Sequence, residues 1–63
     1  MEIGEETRVL IVDDFNTSRR MIRQTLKDLG TELCNEAKEP DEAIKLLERY
    51  QYHLVLVDWH MDG

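Results

Sequence analysis

Two short apolar runs, Val9-Leu10-Ile11-Val12 and Leu54-Val55-Leu56-Val57, stand out from a chain that is otherwise strongly polar. Both are continuous rather than alternating, rich in β-branched residues, and followed at once by acid. That is the pattern of parallel strands covered on both faces. Between them the apolar positions change to a helical period. Met21, Ile22, Leu26 and Leu29 mark one side of a predicted helix over residues 16–29, with Asn16 able to cap it. Arg19, Arg20, Arg23 and Lys27 are assigned to the watered side, and Gly30 supplies a left-handed stop. Residues 31–37 are of mixed polarity and are read as an edge strand. Pro40 suits the first turn of a second helix, supported by Glu39, Asp41 and Glu42 at its positive end and by an Asp41–Lys45 pair. Its expected buried stripe is Ala43, Ile44, Leu47 and Tyr50.

The chain thus reads as β-α-β-α-β. Crossovers between parallel strands are right-handed in nearly all cases. If the third strand lies on the far side of the first, the helices fall on opposite faces and the strand order is 2-1-3. The expected fold class is α/β, a flavodoxin-like half-domain. In such sheets ligands sit at the carboxyl edge, in the crevice where the strand order reverses.

Three carboxylates belong at that edge: Asp13 and Asp14 after the first strand, and Asp58 after the third. Two carboxylates about 5 Å apart repel by about 3 kcal/mol at an effective dielectric of about 20. A divalent cation is the natural remedy. Taken alone, Asp13 and Asp14 also fit a strand-ending turn with a helix cap; the addition of Asp58 favours the site. His53 and His60 read as surface or loop histidines, and no cysteine or histidine spacing suggests zinc.

Composition narrows the partners. The 63 residues hold fourteen acids against eight bases, a net charge of −6, which disfavours nucleic acid and anionic membranes. One cysteine, Cys34, forms no internal disulfide, and no secretory signal or spanning run is evident, so a cytoplasmic protein is expected. Residues 1–7 are polar and acidic without periodicity and read as a disordered leader, leaving 8–63 as the folded unit.

The stretch from Val9 to Arg20, with Asp13-Asp14-Phe15 at its centre, together with Leu54 to Met61, resembles the receiver domain of two-component response regulators. Among these it is most similar to the single-domain chemotaxis regulators. The resemblance implies that Asp58 accepts a phosphoryl group from a histidine kinase. It also implies that Mg2+ is held by Asp14 directly, by Asp13 partly through water, by Asp58, and by the backbone carbonyl of His60. Oxygen-only ligands with retained water suit Mg2+, and a carboxylate can act as nucleophile toward phosphorus.

The departures are equally specific. A full receiver is about twice as long, and its later strands carry a hydroxyl residue and a lysine that contact the phosphoryl group. The usual Pro-x-Met-Asp-Gly after Asp-x-x-Met is shortened here to Asp62-Gly63. The chain is therefore read as the N-terminal half of a receiver, with weak or no phosphorylation expected of it alone. Its third strand would present an open edge, so a homodimer through that strand, or a complementary half-domain, is expected. The alternatives are a phosphotransfer-incompetent module for folding or homo-oligomerisation, and a simple divalent-cation binder.

Overall fold

The computed structural model describes residues 2–58. Five elements follow one another: β1 (Val9–Val12), α1 (Asn16–Leu29), β2 (Cys34–Ala37), α2 (Pro40–Arg49) and β3 (Leu54–Val57). The three strands form one parallel sheet in the order β2-β1-β3, the arrangement for which right-handed crossovers put the two helices on opposite faces. Both ladders are in simple register: Val9 lies beside Cys34 and Leu54, and Val12 beside Ala37 and Val57. The central position of β1 explains its composition. Its backbone is bonded on both sides and its side chains meet a helical layer above and below, so every residue is buried.

Alternation along β1 divides the core in two. Leu10 and Val12 pack with Ala37 and Ala43, flanked by Leu46 and Tyr52, on the α2 face. Val9 and Ile11 pack with Leu26, flanked by Ile22, Cys34, Leu54 and Leu56, on the α1 face. The helices lie on opposite faces, which completes the flavodoxin-like half-domain.

Several local expectations are corrected. The second strand is Cys34–Ala37, shorter than 31–37. Thr31 is instead buried, its hydroxyl donating to the Thr7 carbonyl at 2.6 Å and accepting from the Leu33 amide at 3.1 Å. Helix α1 begins one residue earlier than a cap at Asn16 would place it. Phe15 occupies the cap position in extended conformation, without a side-chain cap bond, and Asn16 is helical.

The buried stripes are also narrower than expected. On α1 only Leu26 among the apolar residues is buried, while Met21 and Leu29 are exposed. On α2 the buried side is Ala43 with Leu46; Ile44 and Leu47, one step further round the helix, are exposed. Helix α2 packs over β2 and β1. Val55 and Val57, which share the face of Leu10 and Val12 by register, are therefore left largely open.

Two ends are well fixed. Gly30 adopts φ 119°, and its amide donates to the carbonyls of Leu26 and Lys27, closing α1 as expected. The segment read as a disordered leader is docked here. Ile3 packs on the α1-side core, Thr7 is buried, and Gly4 and Thr7 close a turn on each other. No described helix is long and apolar enough to cross a membrane.

Candidate functional site

At the carboxyl edge of the sheet the ladder continues one residue past each strand. The Asp13 amide donates to the Ala37 carbonyl at 3.0 Å, and the Asp58 amide to the Val12 carbonyl at 2.9 Å. The first bond ties the end of β1 to β2, and the second sets the starting points of the loops after β1 and β3 next to one another. As a result Asp13, Asp14 and Asp58 each present a carboxylate oxygen within 4.8 Å of the other two. The three differ in setting: Asp13 is buried, Asp58 half-buried and Asp14 exposed.

Asp13 is further constrained. Its Oδ1 accepts the Phe15 amide at 2.9 Å, an Asx-type turn that reverses the chain toward α1. The structural reading of this aspartate as a turn former is therefore correct, and it coexists with the cluster rather than replacing it.

Three acids this close carry a repulsion of about 3 kcal/mol per pair at about 5 Å. The donor set is all oxygen, with one buried, one half-buried and one solvent-facing ligand, and lacks sulfur or imidazole. It fits a hard divalent cation that retains water. It does not fit zinc. His60, expected to offer a backbone carbonyl, lies outside the described residues, as do Trp59 and Met61.

Behind the acids lies a charged arrangement that the sequence reading missed. Arg19, assigned there to the watered side of α1, is buried. Its Nη1 donates to the Asp13 backbone carbonyl at 2.6 Å, its Nε to Glu36 Oε1 at 2.9 Å, and its Nη2 to Asn16 Oδ1. Arg23 takes the second oxygen of Glu36, at 2.7 Å from Nη2, and also bonds the Cys34 carbonyl at 3.1 Å. The signal was present: Arg19, Ile22, Arg23 and Leu26 share one helical face at spacings of three and four. Arg20 and Lys27 do face water.

Burial pushes the Glu36 carboxyl upward, but hydrogen bonds and charge from Arg23 and Arg19 outweigh it and hold the group below the ordinary carboxylate range. Burial pushes the Cys34 thiol up, only partly offset by Arg23. Cys34 is thus kept as a protonated thiol at neutral pH.

With this geometry in view, comparison with known proteins is decisive. Residues 9–63 match the response regulator receiver domain. The chain belongs to that family. It is 36% identical over 61 residues to the chemotaxis protein CheY-3 of Vibrio cholerae serotype O1, an alignment covering 97% of this chain and 47% of that protein. It is 39% identical over 56 residues to the chemotaxis protein CheY of Pseudomonas aeruginosa, covering 89% of this chain and 45% of the relative. The receiver chain described here thus spans about half the length of these curated relatives. No solved structure gives a significant match.

Proposed function

We propose that the chain is the phosphoacceptor half of a response-regulator receiver, with Asp58 as the acceptor and Asp13, Asp14 and Asp58 as ligands for Mg2+. The observation that carries this reading is the convergence of three carboxylate oxygens within 4.8 Å at the carboxyl edge of a parallel sheet. The backbone carbonyl of His60 is proposed as a further ligand. The partner is a histidine kinase that presents a phosphohistidine.

In the transfer, a carboxylate oxygen of Asp58 attacks phosphorus. The new P–O bond forms as the P–N bond breaks, and its electron pair returns to the imidazole nitrogen of the kinase. The chemistry that bound Mg2+ supplies is neutralisation and alignment of the transferring oxygens. The chain's own contribution is placement. The Asp58 amide is tied to β1, so its carboxylate starts from a fixed backbone, and the Asx turn holds Asp13 against the sheet end. The gain from the switch is a change in partner binding, as in the notion of a receiver.

Incubation with Mg2+ and a small phosphodonor, followed by intact-mass measurement, tests the reading. The mass of one phosphoryl group should appear in the wild-type chain and be absent from Asp58→Asn. Labelling that survives in that variant would reject Asp58 as the acceptor.

A second reading, a phosphotransfer-incompetent module for homo-oligomerisation, is favoured by a separate observation. Among the described residues β3 pairs only with β1, and apolar surface remains on both of its sides. Val55, Val57, Ile44 and Leu47 are exposed on one side. On the other, a groove of about 430 Å³ is lined by residues that include Ile3, Met21, Leu29, Leu54 and Leu56. A homodimer across β3, or a complementary half-domain added there, would cover both. Sedimentation equilibrium at micromolar concentration distinguishes them: a dimer supports self-association, and a monomer that binds only an added half supports complementation.

A further inference from the structure

The buried guanidinium of Arg19 stands in direct contact with the site's backbone. We infer that Arg19 is a positioning residue for the acidic cluster: it fixes the β1–α1 turn so that the Asp13 carboxylate is presented toward Asp14 and Asp58. The inference rests on the reading of those three residues as a Mg2+ site, and it names the group that holds the site in shape.

The Arg19 side chain is only 5% exposed, and a buried cation is tolerated only when its donors are satisfied and its charge is met. Arg19 meets both conditions through three structural elements at once. Nε reaches Glu36 on β2, Nη2 reaches Asn16 in the first turn of α1, and Nη1 reaches the carbonyl of Asp13 at the end of β1. The guanidinium is rigid and planar, so its directions are fixed relative to one another.

The Asp13 peptide is consequently held at both ends. Its amide is bound to Ala37 on β2, and its carbonyl to Arg19. With the backbone pinned, the side chain is directed by its Oδ1 bond to the Phe15 amide. Arg23 provides an internal contrast. It shares Glu36 and bonds Cys34, yet makes no contact with Asp13.

Two properties of Arg19 separate positioning from plain stabilisation. Its contact is to the backbone of a proposed ligand, and its effect depends on the shape of the fork rather than on charge. Lysine keeps the charge but has a single nitrogen and cannot span the three acceptors. Partners that orient metal ligands typically contribute about 10–100-fold to metal affinity.

The test compares the 63-residue chain with Arg19→Lys, Arg19→Met and Arg23→Met by amide-resolved NMR, first with EDTA and then with Mg2+. In EDTA the Phe15 amide should exchange faster by about tenfold in both Arg19 variants and keep its protection in Arg23→Met. Equal Phe15 protection in wild type and both Arg19 variants would overturn the inference, and so would an equal loss in Arg23→Met. With Mg2+, the Arg19 variants should bind about 10–100-fold more weakly, with Arg23→Met close to wild type. Wild-type binding retained in Arg19→Lys would show that charge alone suffices and would also overturn it.

The metal reading fails separately. A wild-type chain that gives no Mg2+-dependent shifts rejects the Mg2+ site, while the Phe15 result in EDTA still decides whether Arg19 holds the turn. If both Arg19 variants lose their dispersed spectra, Asn16→Ala removes one acceptor and leaves the Arg19 charge and its Glu36 contact. Phe15 protection should then fall several-fold, and an unchanged value overturns the inference.

Discussion

Single residues at the carboxyl edge carry opposing demands. Asp14 is the proposed ligand with least structural duty, since Asp13 also accepts the Phe15 amide and Asp58 is half-buried. Asp14→Asn is therefore expected to raise the melting temperature in EDTA, by relieving repulsion, and to weaken Mg2+ binding by about tenfold or more. Calorimetric melting with and without Mg2+ measures both. Glu36 gives a pH signature of the opposite kind. Its carboxyl is held below the ordinary range by Arg23 and Arg19 against the upward push of burial. It therefore contributes stability above its unfolded value, about pH 4.3, and that contribution is lost as pH falls through the lowered folded value. In Glu36→Gln the drop in melting temperature between about pH 5 and pH 3 should be shallower than in the wild type. Asp13, Asp14 and Asp58 were all legible as candidates, because acid directly after a buried strand is a strong local pattern. Arg19 was not. Its charge argued for water, and only the acceptors on three different elements make its burial tolerable.

Among the elements, β1 and β3 were the most legible as strands from their continuous apolar runs, but two-sided cover is met only by β1, since Val55 and Val57 of β3 stay open. The second strand was overextended because residues 31–33 look like strand residues, yet Thr31 is committed to the Thr7 carbonyl. The helix stripes were read too wide for a related reason. A helical period identifies a face, but how much of that face is covered depends on which strands the helix crosses. Helix α2 crosses β2 and β1, so Ala43 and Leu46 are covered while Ile44 and Leu47 are not. The stop of α1 offers a test at this scale. Gly30 sits at φ 119°, and an added Cβ would lie 3.3 Å from the Ile3 carbonyl oxygen. Gly30→Ala should cost about 1–2 kcal/mol, read as a lower urea midpoint with unchanged slope. A larger loss accompanied by release of the 2–7 segment would show that the Ile3 contact adds to the backbone cost.

For the molecule as a whole, the open side of β3 is the dominant feature. Among the described residues β2 and β3 are both outer strands; β3, of mixed exposure, is the one with apolar surface both above and below. Val57→Lys, at a position 48% exposed on that strand, places a charge where an edge partner would pack. If the proposed homodimer forms through β3, this substitution should weaken it by at least about tenfold in sedimentation equilibrium; an unchanged equilibrium would reject β3 as the interface. The sequence by itself determined the order of elements, their parallel packing and the identity of the three edge carboxylates, with the strand order 2-1-3 expected on condition that the third strand lies beyond the first. These follow from apolar runs, a helical period and the handedness of crossovers, all of which are local or chiral properties of the chain. Only the tertiary structure decided which faces stay open, how Ile3 and Thr7 dock, and that Arg19 turns inward to bind the Asp13 carbonyl. Those outcomes depend on satisfying buried donors with acceptors far apart in sequence, such as the 17 positions between Arg19 and Glu36, and no single window of residues contains both halves of such a bond.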